Sequence, residues 1–172
     1  MQVDLCLKIF LVILGLHTVD AESYNCPSPG TPIMDDSGGH QMCAYLPNTE
    51  ASWAEAHVWC NRIDEYAMLP VIGVVEQQQA IESYLSSFNN RWTQYWISGS
   101  DAYIPDEWFF YTGQGSMQVK KGYTNWNPGY PRTDGNRDCM YINIGGPAPG
   151  TWGNDNCNEK KPFLCILSPM TE

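Results

Sequence analysis

The stretch "GTWGNDNC", Gly150 to Cys157, sets an indole, two side-chain amides, a carboxylate and a sulfur within six residues, Trp152 to Cys157. Two chemistries suit that set. Amide and carboxylate oxygens are donors for a hard cation such as calcium, which takes about six to eight oxygens. Asn and Asp also bond their own backbone well, so the same residues make a polar turn pinned by Cys157. Zinc is a poor fit: the closest cysteines stand eight apart, and only His40 and His57 lie beyond the N-terminal leader. Nucleophilic catalysis has no support either. The chain lacks a Gly-x-Ser-x-Gly element, and two histidines with disulfide-type cysteines give no nucleophile and base pair, so the protein is not expected to be an enzyme.

The elements that must position these residues follow from patterning. "LCLKIFLVILGL" (Leu5 to Leu16) is apolar but too short to span a bilayer, and Val19-Asp20-Ala21 offers small residues at alternate positions. Residues 1–21 therefore read as a secretory signal peptide, and 22–172 as one exported domain with no membrane insertion. Removing Lys8, Asp4 and Asp20 changes the net charge from −10 to −9, and no basic stripe is visible, so nucleic acid is not an expected partner. It also removes Cys6, leaving Cys26, Cys43, Cys60, Cys139, Cys157 and Cys165, an even set that points to disulfides.

Residues 22–41, rich in Pro and Gly, predict an irregular or hairpin start. Trp53, Ala56, His57 and Cys60 recur at helical steps behind a Ser52-x-x-Glu55 capping box, which predicts a helix beginning at Trp53. "YAMLPVIG" predicts a short strand. A second helix is expected with Val74, Gln77, Ile81, Tyr84, Leu85 and Phe88 on its inner face. From Trp92 onward, "QYWISGS", "EWFFYTG", "CMYINI" and "KPFLCIL" read as strands, and the interval Gly113 to Arg137 as a long functional loop. Helices first and strands afterwards make an α+β domain.

In that order the pieces resemble the C-type lectin-like domain. The resemblance rests on "CAYLPNTEASWAEAHVWC" (Cys43 to Cys60), "WISGSD" (Trp96 to Asp101), "EWFFYTG" (Glu107 to Gly113) and "NWNPGYP" (Asn125 to Pro131). It continues through Asp138-Cys139, "WGNDNC" (Trp152 to Cys157) and "KPFLC" (Lys161 to Cys165). It implies two helices packed on small antiparallel sheets, a long ligand-binding loop, and the disulfides Cys60–Cys165, Cys139–Cys157 and an N-terminal Cys26–Cys43. It further implies a secreted lectin that meets calcium and glycan together at Asn154 and Asp155 with Asp138, and with Tyr130, Pro131 and Arg132 at the sugar. Asp134 serves as a substitute ligand in a metal set that is about half of a usual calcium shell.

The pattern departs at the loop. Sugar-binding relatives carry Glu-Pro-Asn or Gln-Pro-Asp where this chain has Tyr130-Pro131-Arg132, and a carboxylate where it has Arg137. A guanidinium has no acceptor to offer a cation, so calcium is expected to be weak or absent. Two arginines instead fork onto carboxylate, sulfate or phosphate, and Tyr130, Tyr123 and Trp126 offer faces for a sugar ring, with core packing that anchors the loop the favoured reading of Trp126. The expected partner is an acidic or phosphorylated glycan such as a microbial surface polysaccharide, in an innate-immune recogniser. The competing reading is a domain without sugar binding that works through protein or mineral-surface contacts. With no collagen stalk or heptad segment, multivalency would require a homo-oligomer built from the domain itself.

Overall fold

The computed structural model describes residues 26–34, 41–88, 92–112 and 115–167. Residues 1–21, expected to be a signal peptide, His40 and the tip of the "EWFFYTG" motif at Gly113 lie outside them. Helix α1 (Trp53–Ile63) starts where the capping box places it: the Ser52 N–H donates to Glu55 Oε2 at 2.9 Å, and the Glu55 N–H donates to Ser52 Oγ at 3.4 Å. Each bond satisfies a backbone donor that the first helical turn leaves unpaired. Ser52→Ala is expected to cost about 1 kcal/mol in urea unfolding, with Ser52→Asp retaining most of it.

Helix α2 (Val75–Ser86) buries Ile81 and Leu85 as its apolar pattern predicts, but the predicted face fails at its ends and gains Gln78. Val74 and Phe88 are 39% and 40% exposed, whereas Gln78 is buried beside Ala80, Ile81 and Leu85. Gln78 tolerates burial because both ends of its amide are satisfied: Oε1 accepts from Trp152 Nε1 at 2.9 Å and Nε2 donates to the Gly150 carbonyl at 2.7 Å.

Three antiparallel sheets complete the α+β fold. The chain ends meet in the first, where β1 (Thr31–Met34) pairs with β2 (Gln41–Tyr45), and β2 with β10 (Cys165–Leu167). A short ribbon joins β3 (Glu50–Ala51) to β9 (Lys161–Pro162). The largest sheet has the order β6 (Gly115–Gln118), β5 (Phe109–Thr112), β4 (Gln94–Ser100), β7 (Cys139–Asn143), β8 (Trp152–Asp155). "YAMLPVIG" is not a strand: Met68 makes one bridge with Ile166, and Pro70 has no N–H with which to extend a ladder.

Strand β4 divides the core. It is buried on both faces, so alternate residues serve different clusters. Tyr95 and Ile97 pack with Ile81, Leu85, Phe110 and Trp152, while Trp96 packs with Phe163 and the α1 residues Ala56 and Cys60. All three disulfides implied by the resemblance are present. Cys60–Cys165 links α1 to β10 across a separation of 105 residues, a closure worth about 4 to 5 kcal/mol in the chain-entropy account.

Candidate functional site

The long loop leaves a short 3-10 turn (Val119–Lys121) and returns to β7 at Cys139. Part of the interval expected to be irregular is therefore strand, since Gly115 to Gln118 pairs with β5. The loop's stem docks on β8. Trp152 N–H donates to the Asn125 carbonyl at 2.8 Å and Asn127 N–H to the Trp152 carbonyl at 2.9 Å, while the Trp126 ring sits edge-on to Trp108 and Trp152 at 5.1 and 5.9 Å between centroids. Trp126 and Tyr123 are thus packed against Trp152 and belong to the loop's foundation. Asn127-Pro128-Gly129-Tyr130 then makes a tight turn closed by Tyr130 N–H to the Asn127 carbonyl at 2.9 Å. Gly129, with φ of 85°, occupies the position where such a turn needs a positive φ. The Tyr130-Pro131 bond is cis.

Beyond this turn, one amide holds the loop. Asn154 is 1% exposed; its Oδ1 accepts from the Arg132 N–H at 2.8 Å, and its Nδ2 donates to the carbonyls of Arg132 and Arg137 at 2.7 and 2.6 Å. "GTWGNDNC" is therefore not a turn at its centre but the edge strand β8. Adjacent residues of a strand face opposite sides, so Asn154 and Asp155 do not converge on one point. Asp155 Oδ2 accepts from Lys161 Nζ at 2.8 Å and Oδ1 from the Asn156 N–H at 2.9 Å. Partial burial alone would raise the Asp155 pKa, but Lys161 and that N–H outweigh it and hold the carboxyl below its usual range.

On the Asp155 side, Gly153 leaves room for the Tyr141 ring: a Cβ there would lie 2.3 Å from the Tyr141 hydroxyl. Burial first, and then a hydrogen bond with the Tyr130 hydroxyl, push the Tyr141 pKa up. The Arg132 guanidinium lies 4.8 Å from the Tyr130 ring centroid, and Arg137 Nε is 3.8 Å from Asp134 Oδ1, whose side chain is 76% exposed. The Asp138 carbonyl accepts from the Asp101 N–H at 3.2 Å. The loop thus brings Arg132 and Arg137 onto Asn154 through their backbones, Asp134 beside Arg137, and Tyr130 beside Tyr141 on the Asp155 side.

This donor set does not fit calcium. The carboxamide oxygen of Asn154 and both oxygens of Asp155 already accept hydrogen bonds, Asp134 faces a guanidinium, and the Arg132 and Arg137 carbonyls turn toward an NH2 group. No three His, Cys, Asp or Glu side chains converge among the described residues. Sequence reasoning passed over Lys161 and Tyr141. The signal was the two-residue period of a strand through Gly153 and Asp155, which puts both beside Tyr141.

Comparison with known proteins places this geometry. The pattern of the Lectin C-type domain matches residues 49–166. The chain belongs to the C-type lectin domain family. This lectin domain is 29% identical over 159 residues to "Lectin" of Pleurodeles waltl, covering 91% of this chain and 88% of that one. It is 25% identical over 161 residues to "Lectin BRA-3" of Megabalanus rosa, with 92% and 87% covered. Among solved structures it resembles the mouse scavenger receptor C-type lectin carbohydrate-recognition domain, with a TM-score of 0.65 at 23% identity over 86% of this chain and 99% of that one. No helix among the described residues of the lectin domain is long and apolar enough to cross a membrane.

Proposed function

We propose that this lectin domain is exported and binds acidic carbohydrate, bearing carboxylate, sulfate or phosphate, through Arg132 and Arg137 with Tyr130 beside them. The observation that carries this reading is the Asn154 amide, which fixes the backbone of both arginines at once. Arg132 is exposed and the Arg137 side chain is 36% exposed, so two positive groups stand on one loop of a chain whose net charge is −10. A guanidinium matches a planar or tetrahedral anion with paired N–H donors. An acidic background leaves that loop as the place where an anionic polysaccharide, such as one on a microbial surface, meets least repulsion. Multivalent capture would come from several copies of the domain.

A glycan array read in buffers of rising salt tests this. Uronic-acid, sulfated or phosphorylated glycans are expected to exceed neutral mannose, and Arg132→Ala with Arg137→Ala to weaken binding by about tenfold or more, as loss of charge-assisted bonds requires. Dominance of neutral mannose with no effect of the double substitution would contradict the reading. Retention on no glycan at all would favour contacts with protein or mineral surfaces.

A further inference from the structure

We infer that this lectin domain closes its long loop with its own side chains where a metal would otherwise do so: the Asn154 amide is the cross-link, the Lys161 ammonium is the resident cation, and loop order is independent of calcium. The inference goes beyond the glycan reading and does not rest on it.

The cross-link is specific to an amide. Asn154 meets one N–H and two carbonyls, at positions 132 and 137 of the loop, so it must offer one acceptor and two donor hydrogens. A carboxylate there could keep the Arg132 N–H but would set oxygen against both carbonyls. A loop built around a cation turns its oxygens inward to the ion. Here the two loop carbonyls are turned onto N–H hydrogens, and they do so in a site only 1% exposed, where an unpaired polar group is costly.

The resident cation lies on the other face of β8. The Lys161 side chain is 11% exposed, with Nζ 2.8 Å from Asp155 Oδ2, 3.0 Å from Gln94 Oε1, and 4.9 and 5.1 Å from the ring centroids of Tyr141 and Trp96. A carboxylate, an amide oxygen and two π faces around one ammonium form a complete cation enclosure. A divalent ion entering beside it would meet direct repulsion. Lys161 is placed by β9, whose pairing with β3 and location next to buried Phe163 leave its stem little freedom.

The two devices meet the same loop at neighbouring positions. The Tyr141 ring, one wall of the Lys161 enclosure, turns its hydroxyl toward the neighbouring Tyr130, which follows the Pro128-Gly129 turn; Asn154 holds Arg132 and Arg137 beyond it. Gly153 between them is required, because any Cβ would displace the Tyr141 hydroxyl.

Hydrogen exchange followed by mass spectrometry on the disulfide-intact domain, without glycan, tests this in millimolar calcium and in a chelator. Exchange of residues 125–138 is expected to be the same in both. Asn154→Asp should speed it by about tenfold or more, the effect of losing at least one buried hydrogen bond. Lys161→Met should speed exchange around Tyr130, while Lys160→Met, which alters the exposed lysine paired with Glu55, should not. Calcium slowing wild-type exchange across 125–138 would overturn the inference, as would unchanged exchange in Asn154→Asp. The wild-type comparison decides the question even if a variant fails to fold.

Discussion

Trp152→Ala is expected to lower the unfolding free energy by about 3 to 5 kcal/mol and to abolish ligand binding. Trp152 is fully buried, and its ring meets Phe110 and Tyr123 edge-on at 5.8 Å and Trp126 at 5.9 Å. Alanine removes the side chain that joins β8 to the core and to the loop's stem, and the rigid disulfide framework limits collapse into the space. Trp152→Phe separates packing from hydrogen bonding. It keeps most of the volume but leaves Gln78 Oε1 without its indole donor, which should cost about 1 to 3 kcal/mol. Urea unfolding of both variants measures the difference. An alanine variant within about 1 kcal/mol of wild type, or one that still binds ligand normally, would show that the loop stands without this anchor.

How far the sequence revealed the site depended on whether a local rule governed the residue. The capping box located α1 to the residue, because two side chains and two N–H groups within one turn decide it. Strand β4 was legible as an aromatic apolar stretch, and Trp96 within it is fully buried. Gln78 was not legible, since its burial depends on Trp152, 74 residues away. Asn154 and Asp155 read as one oxygen-rich pair through the resemblance; in the fold each is engaged separately, Asn154 by loop residues 132 and 137 and Asp155 by Lys161, partners that no local rule reveals. Tyr130 and Arg132 appeared as departures from a ligand pattern. In the fold they form part of an alternative arrangement, with Tyr130 bonded to Tyr141 and Arg132 tied through its backbone to Asn154.

Acid sensitivity should trace to His57. The imidazole lies against Trp53, with centroids 4.2 Å apart, and its Nε2 has no hydrogen-bond partner among the described residues. Burial alone lowers its pKa from 6.5 to about 4. The neighbours Ser100, Ala102, Tyr103 and Tyr111 bring no charge that would welcome a proton. Because the folded state refuses a proton that the unfolded chain accepts, stability is complete above pH 6.5 and falls as pH drops toward 4. Glu55 acts in a separate window: Lys160 and Ser52 lower its pKa from 4.5 to about 2, so its contribution is present above pH 4.5 and disappears only below. Between pH 7.5 and 5 the His57 effect therefore dominates and amounts to about 2 kcal/mol, which urea unfolding at the two pH values would register. His57→Phe keeps an aromatic ring against Trp53 and cannot titrate, so it should remove that slope; a variant that loses stability over this interval as steeply as wild type would assign the sensitivity elsewhere.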